Sequence, residues 1–129
     1  MSCRRDYNIY ILLYTLYGIP SIYYGSEFAI EGKKESGSDW NLRPCLELDD
    51  FKDAYENNAI TKLCIQLGKL KKDYTELSAG GYEELLLTNR QFAYSRNYNG
   101  KVIVIALNND DNETELTINP HVACNEAKI

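Results

Sequence analysis

Histidine, tryptophan and methionine each occur once among the 129 residues, and proline occurs three times. The single histidine, His121, stands close to the end of the chain, which excludes a site that several histidines would build. The cysteines at positions 3, 45, 64 and 124 show neither a Cys-x-x-C pair nor a zinc-ligand spacing. The sequence therefore predicts no metal site and no cofactor. We expect four free thiols in a reducing compartment, which favours a cytoplasmic location.

Positive charge and long apolar runs are also scarce. Fourteen basic residues against nineteen acidic ones leave a net charge of −5, which argues against nucleic acid or an anionic membrane as a partner. The most apolar stretch, residues 9 to 17, is followed by Gly18 and Pro20 and is shorter than the roughly 20 residues that a membrane span needs. No small-residue cleavage site follows it. We interpret it as part of a buried helix rather than as a signal peptide or membrane anchor.

The first third of the chain shows a helix, a turn and a short apolar segment. Residues 6 to 17 have apolar side chains at helical spacing, and Gly-Ile-Pro then ends the helix. The segment Ile22-Tyr23-Tyr24 is rich in residues that suit a buried strand, and a polar loop follows up to Leu48. Such a unit is typical of an α/β barrel or a doubly wound sheet, in which ligands meet the loops at the carboxyl ends of strands.

The remainder changes from a helical to a strand pattern at Gly80-Gly81. Asp49 or Asp50 is expected to cap a short helix, and a longer amphipathic helix follows from Ile60. Beyond the glycines, the alternation of side chains predicts four strands, at residues 82–88, 92–98, 101–107 and 114–118. Asn99-Gly100, between the second and third, predicts a type I′ turn.

Several fixed positions resemble the α-amylase family of glycoside hydrolases (family thirteen). Residues 18 to 27 read G-I-P-S-I-Y-Y-G-S-E, similar to the G-I-P-x-I-Y-Y-G-D-E of that family's eighth barrel strand, with Ser26 in place of the aspartate. Arg43-Pro44 resembles part of the R-x-P-M segment in the following loop. Leu42, Cys45 and Glu47 depart from that segment. Residues 92 to 109 are similar to strands of the family's C-terminal β-sandwich.

The resemblance implies an α+β fold in two parts. Residues 1–79 would be the C-terminal end of a (β/α)8 barrel, with helices around the eighth strand. Residues 80–129 would be an antiparallel β-sheet that forms a partial C-terminal β-sandwich. We expect a chain of this kind to leave strand edges unpaired and the apolar helix partly uncovered, which favours self-association.

The resemblance also implies a parent enzyme that acts on an α-glucan or maltooligosaccharide with retention of configuration. Its family uses an aspartate nucleophile, a glutamate acid/base and a further aspartate, and all three precede the eighth strand. This chain is therefore expected to carry no catalytic residue and to be inactive alone, and whether it counts as an enzyme stays open. Glu27 and Arg43 are the candidate residues next to the substrate in the parent.

Four alternatives stand beside this interpretation. A catalytic pair of Glu27 and Asp39 is disfavoured because one strand and a few helices do not build a water-poor cleft, and a structural role for Glu27 is expected instead. The Asn108 to Glu113 segment lacks the glycine and terminal glutamate of a calcium loop. In function, the chain would alternatively be a stand-alone carbohydrate-binding module or a protein-interaction module that uses its apolar helix.

Overall fold

The computed structural model describes residues 4–121 and shows helices followed by an antiparallel sheet. Three one-turn 3-10 helices lie between the first and second α-helices, at Ser26–Phe28, Trp40–Leu42 and Leu48–Phe51. The α-helices are α1 (Arg4–Thr15), α2 (Ala54–Asn57), α3 (Ala59–Asp73) and α4 (Thr75–Ala79), and the strands are β1 (Gly81–Leu87), β2 (Gln91–Tyr98) and β3 (Lys101–Asn108). This order confirms the predicted α+β class.

The sheet is a meander in the order β1-β2-β3, with both neighbouring pairs antiparallel. The register between β1 and β2 shifts between Glu84 and Leu86, which marks a β-bulge. Asn99 and Gly100 connect β2 to β3 with φ angles of 50° and 78°. Both angles are positive, as a type I′ turn requires. The hairpin prediction is confirmed.

The core lies where the sheet meets α1 and α4. Leu77, Tyr94, Ile105 and Leu107 form a buried cluster, and Ile11, Leu12 and Leu16 of the α1 segment pack against it. The Tyr94 hydroxyl lies 2.5 Å from Thr15 Oγ1, and Thr15 Oγ1 donates to the carbonyl of Ile11 at 2.6 Å. One face of the apolar helix is therefore covered by the sheet.

Helix α3 begins at a side-chain cap and buries one stripe. Asn58 Oδ1 accepts hydrogen bonds from the backbone N–H groups of Ile60 and Thr61 at 2.9 and 3.1 Å, which satisfies two donors that the first turn leaves without partners. The buried positions of the helix are Ile60, Cys64 and Leu67, one helical turn apart. This stripe packs against α1.

The predicted cap at Asp49 or Asp50 is wrong. Both aspartates lie inside the 3-10 helix Leu48–Phe51, which Glu47 precedes, and α2 begins after Asp53 without a side-chain cap. The turn that follows Glu47 uses backbone bonds, with Asp50 N donating to the Glu47 carbonyl at 3.1 Å. The carboxylates are left pointing to solvent.

Two predicted strands are absent from the described residues. Residues 22–24 and 114–118 carry no strand assignment, so the eighth-strand segment is present in sequence but not as a paired strand. Within residues 4–121 neither segment has a neighbouring strand whose N–H and C=O groups it pairs with, and a single extended segment has no ladder to form. In that same range, no helix is long and apolar enough to cross a membrane.

Candidate functional site

The segment after Tyr24 folds back on itself in a tight turn. Gly25 adopts a φ of 87°, and Ala29 adopts a φ of 58°. The Gly25 carbonyl accepts from the backbone N–H groups of Phe28 and Ile30, both at 3.1 Å. A Cβ at Gly25 would lie 3.2 Å from the side chains of Ile30 and Leu46, so glycine suits this position for its backbone angle and for the space. The turn places the loop beside the tyrosine pair.

An open cleft of about 420 Å³ lies between this turn and the loop that returns at residues 39–44. Tyr23 and Tyr24 form one side of it, with ring centroids 4.8 Å apart and 54% and 45% of their surfaces exposed. Asp39, Asn41 and Arg43 contribute polar groups to the lining. Exposed aromatic rings beside a few hydrogen-bonding groups are suited to a ligand that is both apolar on its faces and rich in hydroxyls.

Asp39 and Arg43 stand at the two ends of one 3-10 turn. Leu42 N donates to the Asp39 carbonyl at 3.0 Å, and Arg43 N donates to the Trp40 carbonyl at 2.9 Å. Lys34 Nζ lies 3.4 Å from Asp39 Oδ1 in an exposed ion pair. The short turn therefore presents a carboxylate and a guanidinium to the same cleft.

Two further contacts hold the cleft walls together. A Cβ at Gly32 would lie 2.5 Å from the Asn41 carbonyl oxygen. The two sides of the loop therefore come so close that only glycine fits at position 32. The Tyr24 hydroxyl donates to the Pro44 carbonyl at 3.1 Å. The cleft is thus built from backbone contacts of the loop rather than from a buried core.

Glu27 lies behind the cleft, on the side of the helices. Its backbone carbonyl accepts from Thr61 Oγ1 at 2.6 Å, and its Oε2 atom is buried without a hydrogen-bond partner. Burial, and secondarily the Glu27 charge, raise the pKa of the Cys64 thiol. Burial is likewise the main cause that raises the pKa of the Tyr10 phenol, with Glu27 a minor one. Glu27 is therefore a neighbour of α1 and α3.

The structure separates the two candidates that the sequence suggested. Arg43 lines the cleft, whereas Glu27 is not among its lining residues within the described chain. Glu27 and Asp39 do not line one cleft, so the catalytic pair considered above gains no geometric support. The sequence reasoning did not single out Tyr23, Tyr24 or Asn41 as lining residues. Assigning the tyrosines to a buried strand concealed their exposure.

No cluster of metal-ligating side chains is found in the part of the chain that the structure describes. Among residues 4–121, no three His, Cys, Asp or Glu side chains come together in a way that could hold a metal ion. Cys45 is exposed and Cys64 is buried, and both are free thiols. Cys3 and Cys124, for which free thiols are also predicted, lie outside the described residues.

Comparison with known proteins identifies relatives of this chain. No family model matches the sequence. A cyclomaltodextrinase of Thermoanaerobacter pseudethanolicus is 30% identical over 109 residues, which are 84% of this chain and 18% of that protein. A cyclomaltodextrinase of a Bacillus species is 31% identical over 110 residues, or 83% of this chain and 18% of the relative. This chain is a relative of the α-amylase family. The predicted resemblance to that family is confirmed.

A solved structure agrees with this relationship. The crystal structure of a debranching enzyme from Nostoc punctiforme superposes on this chain with a TM-score of 0.58 and 25% sequence identity. The match covers 80% of this chain and 19% of the debranching enzyme. The chain thus spans about a fifth of the length of the α-amylase-family proteins that it matches.

Proposed function

We propose that this chain supplies the C-terminal end of the barrel and the beginning of the C-terminal sandwich of a retaining enzyme acting on α-glucans. In this proposal residues 1–79 belong to the barrel and residues 80–129 to the sandwich. The observation that carries it is a cleft lined both by Tyr23 of the family's Gly-x-Pro-x-Ile-Tyr-Tyr-Gly-x-Glu motif and by Asp39 and Arg43 of the loop that follows. Hydrolysis and transfer to another sugar are both compatible with it.

The ligand of this cleft is proposed to be an α-glucan or maltooligosaccharide. A glucose ring has apolar faces, which stack on tyrosine rings, and hydroxyls around its edge. Arg43 would donate hydrogen bonds to those hydroxyls, and Asp39 would accept from them. Glu27 acts as a positioning residue in this proposal, because its carbonyl ties the turn after Gly25 to Thr61 of α3.

The first prediction is that the chain alone hydrolyses no α-glucoside. Retaining glycosidases need a nucleophile and an acid/base carboxyl about 5 Å apart on either side of the bond that breaks, and the sequence offers no such assigned pair. We expect the rates with starch, maltotriose and an aryl α-glucoside to equal those of buffer. Turnover that Glu27→Gln abolishes would contradict the proposal, since it would assign catalysis to this chain.

Isothermal titration with maltooligosaccharides tests the cleft itself. Arg43→Leu should remove any heat of binding, because a leucine has no donor for the sugar hydroxyls. Arg90→Leu is the matched control, since Arg90 is exposed in the turn before β2. Binding that survives Arg43→Leu and is lost on changing the exposed face of the sheet would favour the alternative, a stand-alone carbohydrate-binding module.

A protein-interaction module is the other alternative, and the surface beside α1 favours it. A second, mostly apolar groove of about 640 Å³ runs between α1, the Ser21–Glu31 loop and the start of α3. Ile9 and Tyr23 in its lining are more than half exposed. Sizing chromatography of the chain with candidate partners separates this role from carbohydrate binding. We further propose that the chain binds neither nucleic acid nor a membrane. Its proposed location is the cytoplasm.

A further inference from the structure

Arg96 is a buried cation in the middle of β2. Its residue surface is 0% exposed, and its Nη2 donates to the Gly80 carbonyl at 2.7 Å. The guanidinium carbon lies 5.2 Å from the centroid of the Tyr17 ring. The Nε and Nη1 atoms are buried and have no hydrogen-bond partner. Most of the hydrogen-bonding capacity of this guanidinium is therefore unused.

A second cation lies close to Arg96. Lys71 Nζ donates to the carbonyls of Tyr14, Leu16 and Leu77, each at 3.0 Å, which uses all three of its N–H donors. Burial first, and then the charge of Arg96, lower the pKa of the Lys71 ammonium. Lys71 therefore adds positive potential near Arg96 and has no free N–H donor for a further ligand.

Neither cation has a counter-charge in the described part of the chain. The ion pairs found among those residues join Lys34 to Asp39 and His121 to Glu83. Glu76 is buried but lies within ion-pair distance of neither Lys71 nor Arg96. A buried guanidinium without an anion carries a desolvation cost that a carboxylate with good geometry offsets.

An exposed tyrosine, Tyr17, lies over Arg96. Tyr17 follows the end of α1 and is 66% exposed, and it touches Tyr82 edge to face at 5.9 Å between centroids. Gly18 comes next with a φ of 101° and open space around its Cα, and Ile19 is 94% exposed. The Arg96 guanidinium therefore has an exposed aromatic side chain on one side, followed in the chain by exposed residues.

We propose that Arg96 is the floor of a carboxylate-binding site, and that its ligand is a glutamate or aspartate side chain of another polypeptide segment. The carboxylate would accept from the unused Nε and Nη1 groups after Tyr17 swings aside, in the charge-assisted geometry that guanidinium favours. Tyr17 and Tyr82, which contact each other and are 66% and 37% exposed, form an apolar rim beside Arg96. A polypeptide would cover this rim, whereas a free small anion would leave it in water.

Nuclear magnetic resonance of the arginine Nε–H groups tests the site in the unmodified chain. The probes are N-acetyl-glutamate methylamide and its neutral isostere N-acetyl-glutamine methylamide, with inorganic phosphate as a third titrant at matched ionic strength. We expect the Arg96 resonance, identified by its loss in Arg96→Lys, to shift and saturate with the glutamate probe. The shift with the glutamine probe should be less than about a tenth as large, because it lacks the charge that strengthens the bond.

Tyr17→Ala provides a second measurement, because it removes the ring that competes for the guanidinium. Loss of a cation–π contact should tighten binding of the glutamate probe about fivefold. Tyr55→Ala is the matched control, since Tyr55 is an exposed tyrosine on α2, away from the sheet. Its affinity should equal that of the unmodified chain.

Three results would overturn the proposal. The first is an equal response of the Arg96 resonance to both amide probes, which would mean that charge is not recognised. The second is no response to either probe, which would mean that the guanidinium does not bind a carboxylate. The third is tighter saturation by phosphate than by the glutamate probe, which would assign the site to a free anion instead of a polypeptide.

Discussion

Residues 81–108 and residues 19–52 are of similar length and share little else. The first segment is a meander in which neighbouring strands pair over most of their length. The second contains only three one-turn 3-10 helices. Between residues 16 and 53 Gly25 alone is fully buried, whereas Tyr94, Ile105 and Leu107 of the sheet belong to the core. The two segments differ in how far along the chain their backbone hydrogen-bond partners lie.

In the meander every partner is close in the chain. The two-residue turn at Asn99 brings β2 and β3 together, and their N–H and C=O groups satisfy each other at once. The tyrosine pair of the family motif lacks such a neighbour among residues 4–121. A barrel strand pairs with strands from distant parts of a chain, since parallel neighbours need long crossovers. Tyr23 and Tyr24 accordingly stay about half exposed.

Hydrogen exchange should show the largest contrast between the segments. We expect the amides of Val102–Ala106 to exchange at least about a thousandfold more slowly than those of residues 22–48, because the loop opens without disturbing the core. Light scattering on the same samples tests the predicted self-association through unpaired edges. A monomer at high concentration in which both sets of amides are equally protected would contradict both expectations.

A core substitution should have the next largest effect. Leu77 is 3% exposed, and Leu77→Ala should lower the free energy of unfolding by about 2–5 kcal/mol because it leaves a cavity between α4 and the sheet. Ile19→Ala is the control, since Ile19 is 94% exposed, and should change that free energy by less than about 0.5 kcal/mol. Urea unfolding measures both. Equal losses would mean that the loop contributes to the core.

Two glycines with similar backbone angles offer a finer comparison. Gly100 has a φ of 78° and Gly37 a φ of 81°, and a Cβ at either would meet no atom within 4 Å. Valine is strained at such angles, so Gly100→Val should cost about 1–2 kcal/mol in thermal or urea unfolding.

Gly37→Val is the control for the turn. Its local strain is the same, but the exposed tip at Glu35–Ser38 opens without unfolding the core, so the global cost should stay below about 0.5 kcal/mol. An unchanged melting temperature for Gly100→Val would mean that the hairpin does not require a positive φ at this position. A large loss of unfolding free energy for Gly37→Val would mean that the loop unfolds together with the core.

The smallest expected effect is a pH dependence at Tyr94. Burial raises the pKa of this phenol above its usual 10.0, although the bond with Thr15 and the Arg96 charge oppose the shift. The folded state thus keeps a proton that the unfolded state releases. The stabilisation is complete below the unfolded pKa and is lost as the pH rises through the folded pKa.

Tyr94→Phe should therefore flatten the decline in stability above pH 10.0, besides costing about 1 kcal/mol at neutral pH for the lost hydrogen bond. Tyr98→Phe is the control, because Tyr98 is 39% exposed and should keep the original slope. Urea unfolding across alkaline pH measures the slopes. Identical slopes in all three proteins would mean that Tyr94 does not carry this dependence.

Local patterns in the sequence determined the helices, the three-stranded meander and the family. Helical spacing, the asparagine-glycine pair and the fixed offsets of residues 18 to 27 depend on interactions within a few residues of one another, so they can be recognised without a structure. The turn after Asn108 is similarly local, with Asn108 Oδ1 accepting from Asp110 N at 3.0 Å. The fourth strand predicted beyond it is absent, since residues 114–118 do not pair with the free edge of β3.

Only the tertiary structure decided which side chains face inward. Arg96 follows the core residue Tyr94 by two positions along β2 and is fully buried. Glu27 has a buried Oε2 atom and does not line the cleft. The sheet covers one side of α1, which separates Leu12 and Leu16 from the exposed Ile9. Burial and pairing depend on which distant surfaces meet and how much apolar area they remove from water. Spacing along a single chain does not contain that information.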